Sequence, residues 1–252
     1  MHMDNESSDH SFSSNKLIRK LESLSTLSVT EKVKLAEITS NPSTIPAQTD
    51  LIREGDQPDG VYLILEGIAC RYKLRPSGTR QIMAYLLPGD FCDLDVALLK
   101  RMDHALGTLS ECRVVRIDLE TIASLTEEYD SIERALRTAT LVDEATLREW
   151  LVNLGRRSPE ERIAHLLLEL KLRFGAVGLS EDSLLPFPMS VQDLADTTGL
   201  SSVHVTRALN SLQGAALIRM LHKKVEILDP AGLERLSGFK ANYLHLGDEV
   251  AA

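Results

Sequence analysis

The sequence predicts an α+β chain with an antiparallel double-sheet β-roll first, a long helix next, and a winged helix-turn-helix last. Three observations predict it. Between residues 44 and 118, short apolar runs alternate with Gly- and Pro-containing turns, the pattern of an antiparallel roll or barrel. Residues 130–154 run without Pro or Gly, about 37 Å of helix at 1.5 Å per residue. Residues 190–213 then read as two short helices joined by a tight turn, the second with its outer face free for another molecule.

Composition sets the bounds. A length of 252 residues is enough for two domains with separate cores, and 43% hydrophobic with 26% charged residues is ordinary for a soluble globular protein. No apolar run reaches the roughly 20 residues of a membrane span, and residues 1–15 lack the apolar core of a secretory signal, so a cytoplasmic protein without a membrane partner is expected. The three cysteines, Cys70, Cys92 and Cys112, form no C-x-x-C pair, which argues for reduced buried thiols and against a disulfide framework or a four-cysteine cluster. Net charge is −9, yet from residue 156 onward eleven Lys and Arg face twelve Asp and Glu, net −1. The acidity therefore sits mostly away from the helix-turn-helix, and a basic face there stays open.

In order, residues 1–15 read as a disordered tail and residues 16–129 as two helices followed by the roll. Leu17, Ile18, Leu21 and Leu24 mark the first helix, and the capping box Ser28-Val-Thr-Glu31 starts the second. Strands are expected at 51–52, 61–65, 68–74, 81–87 and 114–117, with a short helix over 119–129. The domain 130–155 holds the long helix, whose apolar residues fall on two faces: Ile132, Ala135, Ala139 and Val142 on one, Leu136, Leu147, Trp150 and Leu154 on the other, with Leu151 between. One face can cover the roll while the other meets a second copy of the chain, since otherwise much apolar surface stays wet. Gly155-Arg-Arg-Ser-Pro159 reads as a hinge, with Ser158 as N-cap and Pro159 at the first helical position.

The domain 156–240 begins with a helix over 160–174, apolar through Ile163, Leu166, Leu167 and Leu170, then a loop over 175–188. In the helix pair that follows, Leu194, Leu200, Val205 and Ala208 face inward, Gly199 supplies the turn, and Ser201 caps the second helix. Two short strands, 216–218 and 225–228, form a wing with His222, Lys223 and Lys224 at its tip. A last short helix follows, and residues 241–252 read as a weakly structured tail.

The order of elements and three motifs, Leu87-Pro-Gly-Asp-Phe91, Leu154-Gly-Arg-Arg-Ser158 with Glu161-Arg-Ile-Ala164, and residues 189–207, resemble the Crp/Fnr family of bacterial transcription regulators. The resemblance runs from about Leu17 to Leu236 and is strongest with the FixK-like branch. It implies that the roll is cyclic-nucleotide-binding-domain-like. It also implies a homodimer on a two-fold symmetric site in double-stranded DNA, RNA polymerase as a protein partner, and no enzymatic activity. Dimer contacts then fall to Ile132, Leu136, Ala139, Val142, Leu147, Trp150 and Leu154.

On this resemblance the helix starting at Ser201 enters the major groove and shows Ser202, Val203, Thr206, Arg207 and Asn210. Arg207 is the best base reader, because its fork donates twice to guanine O6 and N7. Val203 suits a thymine methyl. Ser201, Ser202, His204 and Thr206 suit phosphate or water, and Lys223 and Lys224 add phosphate attraction. Pairing of Arg207 with Asp193 or Asp196 is the competing reading, as a merely solvated turn is for the wing lysines. Many family members carry Glu four residues before this Arg, and here that position is Val203.

The resemblance also bears on the effector. The ribose-holding Glu of cyclic-AMP-binding members falls on Leu94, with Asp95 the nearest carboxylate, and their Arg-Ser pair falls on Met102 and Asp103, with Arg101 adjacent. Losing that counter-charge to an anionic ligand argues against cyclic nucleotides. Asp95, Arg101 and His104 remain candidate pocket residues, with His104 read as an exposed loop residue. No metal or cofactor is expected. A cysteine switch, and a reading of the chain as a ligand sensor whose winged helix docks a protein partner, stay open.

Overall fold

The computed structural model describes residues 12, 14–94, 96–98, 100–180 and 183–246. The first helices are α1 (Lys16–Glu22) and α2 (Val29–Ile38). Strands β1 (Ser43–Ile45), β2 (Asp50–Ile52), β3 (Val61–Glu66), β4 (Ala69–Leu74), β5 (Arg80–Leu86), β6 (Phe91–Cys92), β7 (Ala105–Thr108) and β8 (Cys112–Ile117) follow. Then come α3 (Leu119–Glu128), α4 (Asp130–Arg156) and α5 (Pro159–Ala176). The C-terminal part holds β9 (Leu184–Pro186), α6 (Val191–Thr198), α7 (Ser202–Gly214), β10 (Ile218–Leu221), β11 (Lys224–Ile227) and α8 (Pro230–Ser237).

The chain forms two compact units, residues 1–69 with 86–141, and residues 70–85 with 142–252. In the first, β1, β8, β3 and β6 form one antiparallel sheet, with Leu63 opposite Val115 and Ser43 opposite Val114, and β2 pairs with β7. Inward residues of these strands, such as Val61, Leu63, Val115 and Ile117, meet Leu17, Ile18 and Leu21 from α1 in one apolar core. The capping box at Ser28 forms as the sequence implies: the Ser28 amide donates to Glu31 Oε2 at 2.6 Å and the Glu31 amide to Ser28 Oγ at 3.3 Å. Asn15 is no tail residue. Its side chain accepts from the amides of Leu17 and Ile18 and donates to Thr39 Oγ1 at 2.9 Å. Apart from Phe12, Ser14 and Asn15, residues 1–15 lie outside those described.

The motif at residues 87–91 is a structural corner. Gly89 has φ +92°, and a Cβ there would lie 2.7 Å from the Lys16 carbonyl oxygen, so only glycine fits. Asp90 is buried, accepts from the Leu87 amide at 2.8 Å and pairs with Lys20.

In the second unit, the β4–β5 hairpin groups with the C-terminal elements, whereas the linear reading assigned it to 16–129. The helix α4 has 27 residues and takes in Gly155 and Arg156 as its last turn. The expected five-residue hinge therefore narrows to Arg157 and Ser158. Ser158 caps α5 with Glu161 in a second capping box, and Pro159 opens it. The short strand β9 was not expected inside the 175–188 loop, and it pairs antiparallel with β11.

Nor is the segment after residue 240 a loose tail. Tyr243 and Leu244 are buried and cluster with Ala145, while residues 247–252 lie outside those described. Tyr243 Oη and Trp150 Nε1 donate to Glu169 Oε2 at 2.9 and 3.0 Å, and Arg173 Nη1 donates to Oε1 at 3.2 Å. Burial lifts the Glu169 carboxyl above its ordinary pKa while these donors pull the other way.

Candidate nucleic-acid interface

The two helices of the 190–213 segment are built by local chemistry. Ser190 caps α6: its hydroxyl accepts from the Asp193 amide at 3.1 Å, and its own amide donates to Asp193 Oδ2 at 2.8 Å. Gly199 ends α6 in the left-handed region, φ +65°. Ser201 then caps α7, accepting from the His204 amide at 3.3 Å. Leu194, Ala195, Val205, Ala208, Leu209 and Leu212 are buried and pack the pair together. Arg162, from the Glu161-Arg-Ile-Ala164 motif, donates to the Arg157 carbonyl at 2.9 Å and the Thr198 carbonyl at 2.7 Å. It thereby places a cation at the C-terminus of α6, where the helix dipole favours one.

The outer face of α7 is open. Val203, His204, Thr206, Arg207 and Asn210 are exposed, and Ser201 and Ser202 stand at the helix start. No ion pair reaches Arg207 among the described residues. The competing reading fails for a definite reason: Asp196 accepts from Arg80 Nε at 2.7 Å and Asp193 from Arg80 Nη2 at 2.5 Å. Several hydroxyls on this face already have partners, Thr206 Oγ1 donating to the Ser202 carbonyl, Ser202 Oγ to Gln192 Oε1, and Ser201 Oγ meeting His204 Nδ1 at 2.8 Å. The wing pairs Ile218 with Ile227 and Leu221 with Lys224, so His222 and Lys223 make a two-residue turn and Lys224 is the first strand residue. All three are exposed, and Lys223 adopts φ +53°.

Comparison with known proteins decides the family. Residues 161–236 match the Crp-like helix-turn-helix domain, and residues 42–129 match the cyclic nucleotide-binding domain. The nitrogen fixation regulation protein FixK of Bradyrhizobium diazoefficiens is 32% identical over 185 residues, 73% of this chain and 76% of that protein. The chain belongs to the Crp/Fnr family. The transcriptional activatory protein AadR of Rhodopseudomonas palustris, 30% identical over 188 residues, covers 74% of this chain and 77% of its own. The structure of FixK2 from Bradyrhizobium japonicum has the same fold, with TM-score 0.71 and 24% identity over 80% of this chain and 98% of that one. The α+β architecture and the membership in a family of DNA-binding transcription regulators thus stand as the sequence implied, with FixK-type proteins among the relatives.

Against the Crp/Fnr pattern, the effector region corrects one expectation. His104 is not an exposed loop residue but buried, with Nδ1 2.7 Å from Asp103 Oδ1 and Nε2 2.9 Å from Asp93 Oδ2. Burial favours the neutral ring, but the two carboxylates outweigh it and raise the pKa. Arg101 is exposed and donates to the Gly55 carbonyl at 2.7 Å, and Met102 lies in the apolar core. Asp95 lies outside the described residues. The three cysteines are buried, and burial pushes the Cys112 thiol up to about 11, away from the thiolate a redox switch needs.

The dimer residues also need redistribution. Ile132 and Leu136 are buried in the core of the first unit and Trp150 against Tyr85 and Glu169, so these three are spent within the chain. Ala139, Val142 and Leu154 are half-buried, and of the seven only Leu147 is exposed. Leu151, between the two faces, is exposed as well, and so are Leu141 and Val152, which the apolar pattern of the helix does not pick out. Periodicity finds the faces of a helix, but only the packed structure tells which face is already covered.

Proposed function

We propose that the protein is a homodimeric, sequence-specific DNA-binding transcription regulator that lays α7 in the major groove of a palindromic site. The observation that carries this reading is the open outer face of α7, with Arg207 exposed and unpaired among the described residues. In this role Arg207 reads a guanine through two donated hydrogen bonds, and Val203 contacts a thymine methyl. Ser201, Ser202, His204, Thr206 and Asn210 hold phosphates, water or neighbouring base edges, and Lys223 and Lys224 draw the wing to the backbone. The dimer joins through α4, along Leu141, Leu147 and Leu151. RNA polymerase is the protein partner, a reading carried from relatives named as transcriptional activators.

Cyclic AMP is not the effector in this reading. The family's phosphate-holding Arg position is the buried Met102, the neighbouring Asp103 adds negative charge, and Arg101 is occupied by the Gly55 carbonyl. Among the described residues no helix is long and apolar enough to cross a membrane.

Selection from a random duplex pool tests the proposal. Enrichment of a palindrome with half-site centres about one helical turn apart is expected. Absence of any enriched sequence at low salt sinks it.

A further inference from the structure

One basic residue is committed to the helix-turn-helix from far away in sequence. Arg80 opens β5, and its guanidinium lies 5.8 Å from the ring centroid of Tyr72 on the neighbouring strand β4, which orients the fork. Its Nε and Nη2 then reach Asp196 and Asp193, three residues apart and so on one face of α6. Both carboxylates are buried, and no other ion pair reaches either among the described residues. Two further contacts repeat the attachment: Gln81 Nε2 donates to the Thr197 carbonyl at 3.3 Å, and Tyr85 Oη meets Thr197 Oγ1 at 2.5 Å. Thr197 gives its own proton to the Asp193 carbonyl at 2.8 Å, so Tyr85 is the donor between them. Burial raises the Tyr85 pKa and keeps that proton in place.

We propose that Arg80 is a positioning residue for DNA recognition, holding α6, and through it α7, by neutralising Asp193 and Asp196. Asp193 also receives the Ser190 amide at the start of α6, and Asp196 receives Gln192 Nε2, whose oxygen accepts from Ser202 at the start of α7. The fork of Arg80 thus bears on the beginnings of both helices. Without it, two buried carboxylates lose their counter-charge beside an element that approaches DNA phosphates, and the helix must move to hydrate them. In this proposal Arg80 makes no DNA contact, since its Nε and Nη2 are turned to the aspartates and its side chain is only 20% exposed. This inference rests on the DNA-reading role proposed above.

The test uses the full chain, the duplex selected by the wild-type protein, and three variants: Arg80→Gln, Asp196→Asn, and the two combined. Arg80→Gln is expected to weaken binding about tenfold or more while leaving the salt slope unchanged, because Arg80 touches no phosphate. Hydrogen exchange over residues 191–198 should quicken in this variant. Combining it with Asp196→Asn should restore part of the affinity, because one uncompensated carboxylate is gone. If Arg80→Gln fails to fold, Asp196→Asn alone carries the test through faster exchange over 191–198 and weaker binding. Wild-type affinity in a folded Arg80→Gln protein, wild-type exchange and affinity in Asp196→Asn, or a salt slope lowered by about one, overturns the proposal. A wild-type chain that enriches no duplex overturns the DNA-reading role instead, a separate result.

Discussion

Tyr243, near the end of the described chain, donates its hydroxyl to the buried carboxylate of Glu169 at 2.9 Å. Both burial and the neighbouring Glu169 raise the Tyr243 pKa, so the hydroxyl keeps its proton. Tyr243→Phe removes one of the three side chains that donate to Glu169 and is expected to cost about 1.5–3 kcal/mol, the range for a hydrogen bond to a charged group. A chain shortened after Lys240 also loses the buried Leu244 and should melt lower still. Thermal unfolding of the two variants checks the order. Equal melting of the shortened chain and the wild type would return residues 241–246 to the status of a tail.

His165 supplies a pH dependence. It is fully buried on α5, stacked at 6.0 Å on Tyr243 and at 5.0 Å on the edge of Phe239. Its Nε2 lies 3.3 Å from Glu149 Oε1 in a geometry that makes no hydrogen bond, and Arg157 Nη2 holds that carboxylate oxygen at 2.7 Å. Burial first, then the Arg157 charge, lower the His165 pKa from 6.5 to about 4, with Glu149 opposing. The unfolded chain therefore binds more protons between those values, and stability falls as pH drops through that window, by about 3 kcal/mol at most. His165→Phe, which suits the aromatic surroundings, should flatten this acid limb. Urea midpoints between pH 7.5 and 4.5 measure it, and parallel limbs in the two proteins would remove His165 as the cause.

The α4 face gives a third prediction. Leu147 and Leu151 are 48% and 65% exposed one turn apart, whereas Ile132 is fully buried. Leu151→Glu puts a charge into the proposed seam and should shift the sedimentation mass toward that of the monomer without lowering monomer stability. Ile132→Ala should do the reverse, costing about 2–5 kcal/mol of stability with the assembly intact. A dimer unaffected by charge at both Leu147 and Leu151 would move the interface elsewhere.

What the residues disclosed in advance was what local chemistry decides. Ser28, Ser158 and Ser201 announce their helices because a cap needs only its own next three residues, and Gly199 announces its turn through φ. Strands β1, β6, β7 and β9 escape the sequence pattern because they are two to four residues long and carry no alternation; β7 is buried at all four positions. The Arg80 contacts span more than 110 residues of sequence, so nothing near Asp193 or Asp196 signals them. His104 is a different case: its carboxylates are its chain neighbour Asp103 and Asp93, eleven residues back, and what sequence cannot show is that the ring between them is buried.

The reading of DNA itself divides between Arg207 and the wing. Arg207→Ala should remove about 1–3 kcal/mol of discrimination at one base pair and flatten sequence preference there. Lys223→Ala and Lys224→Ala should instead weaken binding to all sequences alike, and the salt slope should fall by about one for each phosphate no longer neutralised. Titrations against the selected site and a scrambled duplex at several salt concentrations separate the two behaviours. A uniform loss in Arg207→Ala would mean that Arg207 binds a phosphate. The exposed Val203 offers the complementary gain, because it stands one turn before Arg207 and has no polar atom in its side chain. Val203→Glu supplies an acceptor for cytosine N4, so repeated selection with this variant should enrich a C·G pair at one position per half-site. An unchanged selected sequence would mean that residue 203 does not face a base edge, and the docking of α7 in the groove would need to be rotated accordingly.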